Sequence, residues 1–168
     1  MYKRILVPTD GSPTAQRAFD YALAMASESN AELMPLYVVD VPVAAYEAPG
    51  FDPSIVRDAL LESGEQLKVE ASAAMLREGV QGTLRVVELD TPGASIPERI
   101  LEEARATHSD LVVMGTHGRR GVQRLMLGSV AERFTRISSC PVLLIPGSIE
   151  DAAATQDAAD NRTTQVLL

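Results

Sequence analysis

Three glycines and a serine late in the chain have the spacing of a phosphate-binding loop. Gly115 and Gly118 follow an apolar run, and Gly128 and Ser129 precede a helical pattern. Because glycine has no side chain, a ligand can approach the backbone N–H groups closely. The amino end of a helix adds unpaired N–H groups and about half a unit of positive charge. These residues therefore predict a site for an oxyanion such as phosphate.

The charge around these glycines is opposite in sign to that of the whole chain. The 168 residues include 15 lysines and arginines against 23 acidic residues, a net charge of −8. Residues 115–136 instead contain a single acid and these five arginines: Arg119, Arg120, Arg124, Arg133 and Arg136. The overall balance argues against binding to nucleic acid or to an anionic membrane. The local excess favours an anion held at one place.

A second polar loop, PTDGS, follows the first apolar segment. Asp10 comes at the end of that segment, and Ser12 followed by Pro13 has the order of a helix N-cap and first helical residue. In open parallel sheets, ligands bind beyond the carboxyl ends of the strands, where the strand order reverses. The two polar loops would face one crevice if their strands are neighbours. The alternative for Asp10 is a turn-forming role, since Asp-Gly is a frequent turn pair.

The segments that position these loops alternate between strand and helix patterns. Apolar runs with β-branched residues predict strands at 3–8, 32–41, 83–89, 111–115 and 140–146. Helical spacing predicts helices at 13–29, 53–78, 96–106 and 129–138. This alternation predicts a single-domain α/β fold, an open twisted parallel five-stranded sheet with helices on both faces. Residues 42–53, rich in proline, alanine and glycine, are predicted to form a loop.

Local signals place the ends of these elements. Ser95 and Ser129 each precede a glutamate by three residues, which is the spacing of a capping box, so each is predicted to cap a helix. Gly79 is predicted to end the second helix. Pro35 is predicted to mark the beginning of the second strand or a bulge in it, because proline cannot donate to a sheet ladder.

The same pattern predicts a core domain over residues 1–147 and a polar, acidic, flexible tail over 148–168. No basic and apolar leader opens the chain, and no apolar run reaches the roughly 20 residues of a membrane span. We therefore expect a cytoplasmic protein without membrane association. No cysteine and histidine cluster has metal-ligand spacing, so any Mg²⁺ or Mn²⁺ would be carried by phosphates. Cys140 is predicted to be a small buried hydrophobic residue.

The complete pattern resembles the nucleotide-binding signature of the universal stress protein family. The spacing Gly115-x2-Gly118-x9-Gly128-Ser129 matches that signature, and KRILVPTDGSPTAQRAFDYALAMA resembles the family's opening segment. The resemblance covers residues 1–147 and implies a Rossmann-like sheet of order 3-2-1-4-5. It also implies that a nucleotide, usually ATP, binds between strands one and four. A homodimer is implied as well, and the apolar fifth strand favours it because an unprotected edge invites pairing.

The resemblance further implies which residues contact the nucleotide. Asp10 would contact the nucleoside, beside a wall shaped by Pro8 and Thr9. Val38 would face the adenine with its backbone, and Met114 would pack near the base or the sugar. The ribose and phosphates would be held by Gly115, Gly118, Arg119, Gly128, Ser129 and Val130.

These expectations describe an ATP-binding universal stress protein, a nucleotide-dependent binding or signalling module in a stress response. The sequence leaves open a slow ATPase or a nucleotidyl-transfer enzyme, although no catalytic residue can be assigned. His117 has no carboxylate or serine partner that the sequence identifies, and the first turn, TDGSPTAQ, has no histidine. A nucleotide-free dimeric scaffold, whose glycines only make turns, also stays open. So does AMP or cyclic AMP as the ligand in place of ATP.

Overall fold

The computed structural model describes residues 2–118 and 127–147 and confirms the predicted α/β class. The strands are β1 (Arg4–Thr9), β2 (Glu32–Val39), β3 (Arg85–Glu88), β4 (Leu111–Gly115) and β5 (Val142–Ile145). The helices are α1 (Pro13–Ser29), α2 (Val43–Glu47), α3 (Pro53–Arg77), α4 (Ile96–Ala106) and α5 (Ser129–Ile137). The predicted tail over 148–168 lies outside the described residues.

The five strands form one parallel sheet in the order β3-β2-β1-β4-β5. β1 lies at the centre, where Ile5 is in register with Leu33 of β2 on one side and with Leu111 of β4 on the other. The direction of strand succession reverses at β1, because β2 and β3 lie to one side and β4 and β5 to the other. The implied order 3-2-1-4-5 is therefore confirmed, and the loops after β1 and β4 leave the same edge of the sheet.

The sheet separates two apolar cores, one on each face. Ile5 of β1 packs in the core beneath α1 and α3, whereas Leu6 packs in the core beneath α4 and α5. Both residues are fully buried, as period-two alternation in a sheet covered on both faces requires. Phe19 of α1 belongs to the first core, and Phe134 of α5 belongs to the second. The helices that follow β1 and β4 thus pack on opposite faces, which leaves a crevice between the ends of the two strands.

Pro35 lies in the middle of β2, so its predicted place at the beginning of the strand or at a bulge is wrong. The Leu33 N–H donates to the Gln81 carbonyl at 2.9 Å, on the side of β3. The nitrogen of Pro35, two residues further on, faces the same side. There the ladder with β3 begins only at the pair of Leu36 and Arg85. The missing N–H of the proline therefore costs the sheet no ladder bond.

Helix starts match the prediction at α1 and differ from it at α4 and α5. The Ser12 hydroxyl accepts a hydrogen bond from the Ala15 N–H at 3.2 Å. Ser95 occupies the N-cap position of α4, but its hydroxyl forms no capping bond. At α5 the N-cap is Gly128, with φ −61° and ψ 147°, and Ser129 is the first helical residue. The predicted capping role of Ser129 is therefore wrong.

Residues 42–53, predicted to be a loop, contain the five-residue helix α2. None of its residues is buried, and Val43 and Tyr46 are exposed. A single turn of helix is too short for apolar periodicity to reveal it. At the other end of α3, Gly79 follows the C-cap with φ +67°, which confirms the predicted helix end.

Candidate functional site

Asp10 has a fixed orientation at the carboxyl end of β1. Its Oδ1 accepts a hydrogen bond from the Ser12 N–H at 3.0 Å, two residues further along the chain. Between them Gly11 adopts φ +77°, a left-handed conformation that suits glycine. Pro8 and Thr9 are half-buried beside this turn. The end of β1 therefore presents a carboxylate from a tight turn, as the sequence predicted.

Gly118, in the loop after β4, lies directly against Asp10. A Cβ atom built on Gly118 would come within 2.6 Å of Asp10 Oδ2, closer than real Cβ contacts occur. The other carboxylate oxygen is held by the Ser12 N–H, so a side chain at residue 118 would have to displace an anchored group. The loops after β1 and β4 thus meet, as predicted, and they meet through a glycine.

Gly115 and Gly128 bring backbone segments together at the other corners of the crevice. A Cβ on Gly115 would lie 2.8 Å from Thr14 Cγ2 in the first turn of α1. The Gly128 N–H donates to the Thr116 carbonyl at 2.7 Å, and a Cβ on Gly128 would lie 3.0 Å from the same oxygen. The chain therefore returns so that the start of α5 contacts the end of β4.

The amino end of α5 is suited to an anion. Its N-cap residue, Gly128, has no side chain, and no side chain among the described residues caps the helix. Ser129 is exposed and Val130 is half-buried. The N–H groups of the first helical turn have no acceptor within the helix. Together with the helix dipole they form an anion-binding terminus at the mouth of the crevice.

Two of the five arginines near this site form ion pairs with glutamates. Arg133 Nη2 lies 2.5 Å from Glu98 Oε1, and Arg136 Nη2 lies 2.6 Å from Glu132 Oε1. Both arginine side chains are more than half exposed, so these pairs add little net charge at the crevice. The local charge excess predicted from the sequence therefore depends on three arginines outside the described residues: Arg119, Arg120 and Arg124.

The sheet face beneath α4 and α5 carries Val38 and Met114, and Val130 of α5 packs against the same core. Met114 is 4% exposed and belongs to the apolar core on that face. Val38 and Val130 are half-buried and pack against the same core. The apolar residues that the resemblance assigned to the nucleotide thus lie on one side of the crevice.

His117 has a hydroxyl partner and no catalytic partner in the described part of the chain. Its Nδ1 lies 2.9 Å from the Thr116 hydroxyl, and its Nε2 is shielded from solvent without a hydrogen-bond partner. General acid–base catalysis by histidine needs a proton donor or acceptor in the substrate within hydrogen-bond reach of the ring. A shielded Nε2 and a neighbouring threonine hydroxyl provide no such arrangement.

A cavity of about 510 Å³ next to the start of α5 was not foreseen from the sequence. It is lined by residues from the end of β2, from α2, from the turn before α4, and from the starts of α4 and α5. Asp40 and Ser95 are among its polar residues. No local sequence pattern marks such a cavity, because its walls come from segments that are far apart in the chain.

The described residues show neither a metal-ligand cluster nor a membrane-spanning helix. In residues 2–118 and 127–147, no group of three or more His, Cys, Asp or Glu side chains is placed to hold a metal ion. No helix in these ranges combines the length and the apolar composition that crossing a bilayer requires. Cys140 is half-buried and packs against the core beneath α4 and α5.

Comparison with known proteins connects this architecture to one family. The model of the universal stress protein family matches residues 1–146. A universal stress protein of Methanocaldococcus jannaschii is 35% identical over 147 residues, which is 86% of this chain and 82% of the relative.

Solved structures show the same relationship. A universal stress protein family member from Burkholderia pseudomallei is 43% identical with a TM-score of 0.73, and the match covers 87% of this chain and 97% of that chain. A universal stress protein solved in complex with cAMP is 26% identical with a TM-score of 0.59. That match covers 88% of this chain and 98% of the other.

Proposed function

The chain belongs to the universal stress protein family, and we propose that it binds an adenine nucleotide in the crevice between β1 and β4. The observation that carries this proposal is the contact between Gly118 and Asp10, beside the uncapped start of α5. This contact places an oriented carboxylate next to backbone N–H groups that suit phosphate. The cAMP complex of a relative supports adenine nucleotides as the ligand class.

In this proposal one end of the crevice binds the nucleoside and the other end binds the phosphates. At the nucleoside end, Asp10 contacts the sugar or base, and Pro8 and Thr9 form the adjoining wall. Val38 faces the adenine with its backbone, and Met114 supports that wall from the core. At the phosphate end, the backbone of the following residues holds the ribose and phosphates: Gly115, Gly118, Gly128, Ser129 and Val130.

We assign ATP as the nucleotide because several N–H groups follow one another along the phosphate end. The loop glycines and the first turn of α5 provide more donors than a single phosphate needs. Arg119 adds a positive charge to the same loop. Mg²⁺ or Mn²⁺ would enter with the phosphates, since Mg²⁺ is commonly bound through substrate phosphates and few protein ligands.

The bound nucleotide acts in this proposal as a signal that partner proteins recognise. A ligand shifts a protein between two states only as far as it binds them with different affinity. Binding to the crevice stabilises the arrangement in which the loops after β1 and β4 are in contact. A cytoplasmic partner in a stress response that binds this surface would therefore distinguish the occupied from the empty protein.

Two copies pair through β5 in the same proposal. β5 lies at one edge of the sheet, and its Leu143 is 37% exposed. The other edge strand, β3, carries Arg85 and Glu88, and Glu88 is bound by Arg57 of α3. Charged residues protect an edge strand, whereas an apolar edge invites pairing. Continuation of the sheet across two β5 strands would cover the unprotected edge.

Thermal unfolding with Mg-ATP tests the nucleotide proposal. A ligand that binds only the folded protein adds about 2.7 kcal/mol of stability at one hundred times its Kd. For a domain of this size we expect the Tm to rise by roughly 5 °C or more. Mg²⁺ with sodium sulfate at equal ionic strength serves as the control and should leave the Tm lower than ATP does. An unchanged Tm in millimolar Mg-ATP would contradict the proposal.

A further inference from the structure

The cavity beside α5 has the lining of a small-molecule pocket. Its volume is about 510 Å³, inside the range of roughly 300–1,000 Å³ that ligand pockets occupy. Its lining includes the apolar residues Ile96 and Val130 and the polar residues Asp40, Ser95 and Arg133. A mainly apolar wall with a few placed polar groups is the arrangement that fixes the orientation of a flat organic ligand.

This cavity adjoins the proposed nucleotide site. Ser129 and Val130 line it, and they are also the first two residues of α5, where the phosphates are proposed to bind. Val130 packs against the same core as Val38, which is proposed to face the base. A ligand that places its phosphates at the start of α5 can therefore extend its base into the cavity. The inference that follows rests on the proposed nucleotide binding.

Asp40 is one of the residues that line the cavity. Leu36 and Val38 of β2 lie on the sheet face that carries α4 and α5. Asp40 is two residues beyond Val38, so it continues on the same face just past the end of the strand. Its side chain makes no hydrogen bond or ion pair with any of the described residues. An ionised carboxylate can only accept hydrogen bonds, so this wall selects for a donor on the ligand.

Ser95 contributes a hydroxyl without a partner. It occupies the N-cap position of α4, where a serine usually accepts a hydrogen bond from the first turn, but no such bond forms. Its Oγ is shielded from solvent and has no hydrogen-bond partner. A shielded polar group without a partner lowers stability unless one is supplied. Ser95 lines the cavity, so rotation of its side chain would let a ligand supply that partner.

We propose that Asp40 and Ser95 select the base of the nucleotide by its amino edge. The Asp40 carboxylate accepts a hydrogen bond from the exocyclic amine of adenine, and the Ser95 hydroxyl donates to a neighbouring ring nitrogen. Hypoxanthine has a carbonyl oxygen in place of that amine. Two acceptor oxygens would then face each other, and a site built to bond a donor rejects an analogue that lacks it. The site therefore prefers ATP to inosine triphosphate.

Titration calorimetry of the full chain with Mg-ATP and Mg-ITP tests this selection. We expect the wild type to bind ATP roughly tenfold to one-hundredfold more tightly than ITP, the range for a hydrogen bond to a charged group. Asp40→Ala should weaken ATP binding by about tenfold and change ITP binding by less than about threefold. Asp40→Asn should improve ITP binding relative to ATP, because its amide can donate to the carbonyl. Ser95→Ala should weaken ATP binding by about threefold to tenfold.

Matched controls separate selection from loss of folding. Asp20→Ala removes an exposed carboxylate on α1 whose hydrogen bond, among the described residues, comes from the Gln16 side chain. This variant should keep the wild-type ratio of ATP to ITP affinity. Equal affinity of the wild type for the two nucleotides would overturn the selection and leave the proposed nucleotide binding intact. An unchanged ratio of ATP to ITP affinity in folded Asp40→Ala would also overturn the selection and leave the proposed nucleotide binding intact. Failure of the folded wild type to bind either nucleotide would contradict the proposed function and the selection with it.

Discussion

Asp110 connects the amino end of β1 to the segment that enters β4. Its carboxylate accepts hydrogen bonds from the Lys3 N–H at 2.8 Å and from the Arg4 N–H at 3.0 Å. Burial acts to raise the pKa of Asp110, but the hydrogen bonds from Arg4 and Lys3 outweigh it and lower that pKa overall. A carboxyl with a lowered pKa in the folded state stabilises the fold above its unfolded pKa. That contribution is lost as the pH falls through the folded value.

We expect Asp110→Ala to lower the free energy of unfolding by roughly 1–2 kcal/mol at neutral pH, because two charge-assisted hydrogen bonds on a partly exposed group are lost. Urea unfolding over a pH series measures this difference. It should be constant above about pH 5 and shrink below about pH 4, where the wild-type carboxyl gains a proton. Asp20→Ala is the control. A difference that stays constant down to about pH 2 would contradict this account.

At the residue scale, the sequence predicted contacts between residues that are close in the chain. The Ser12 cap was predicted and is confirmed, since its donor, Ala15, is only three residues away. The predicted cap at Ser129 is wrong because the Gly128 N–H bonds to the Thr116 carbonyl across the loop, and this contact sets where α5 begins. Spacing alone cannot reveal a contact across a loop, which is also why Asp40 and Ser95 were not foreseen as members of one cavity wall.

At the element scale, Gly64 explains how α3 packs close to the sheet. A Cβ on Gly64 would lie 3.0 Å from Tyr37 Cδ1 and 3.1 Å from the methyl carbons of Val86. Glycine costs a helix interior about 1 kcal/mol relative to alanine. Close packing of α3 on β2 and β3 offsets that cost. The helical pattern predicted that α3 continues through Gly64, but the contact with the sheet could not be predicted from it.

We expect Gly64→Val to lower the free energy of unfolding by about 1–3 kcal/mol, because its branches would collide with Tyr37 and Val86. Ser72→Val, at an exposed position of the same helix, should change stability by less than about 1 kcal/mol. Chemical unfolding of both variants makes the comparison. Stability equal to the wild type in Gly64→Val would mean that α3 can move away from the sheet at little cost.

The existence and type of most elements could be predicted, because the apolar residues of each strand and each long helix recur with the periodicity of that element. The five strands and the four long helices predicted from the sequence are present. Their ends were less predictable, since strands end where their neighbours stop pairing. β3, predicted at 83–89, spans only Arg85–Glu88, and β2, predicted at 32–41, ends at Val39. The position of Pro35 has the same origin, because it depends on where the ladder with β3 begins.

At the scale of the whole molecule, the apolar edge at β5 determines the proposed assembly. We expect Leu143→Arg to shift the protein from dimer to monomer, because a charge on an edge strand opposes pairing. Val69→Arg is the control, since Val69 is 70% exposed on α3 at the other end of the sheet. Sedimentation velocity measures the mass of each variant. A wild-type mass for folded Leu143→Arg, or a monomeric wild type, would contradict pairing through β5.

The strand order could not be derived from the periodicity of the chain. Alternating strands and helices are compatible with several parallel orders, and the order 3-2-1-4-5 followed from the resemblance to the family. The charge pattern was also incomplete as a guide to the site. Arg133 counted toward a local positive excess, but its acidic partner, Glu98, lies on α4 and meets it only in the folded arrangement of α4 and α5.

The most direct measurement is calorimetric titration of Mg-ATP into the wild type, Gly118→Ala and Gly79→Ala. The account predicts saturable binding to the wild type and affinity weakened roughly tenfold or more in Gly118→Ala, because displacement of the Asp10 carboxylate disturbs an oriented site. Gly79→Ala strains a residue at φ +67° far from the crevice, so it should lose stability and bind ATP as the wild type does. Absence of binding to the folded wild type, or wild-type affinity in Gly118→Ala, would contradict the account.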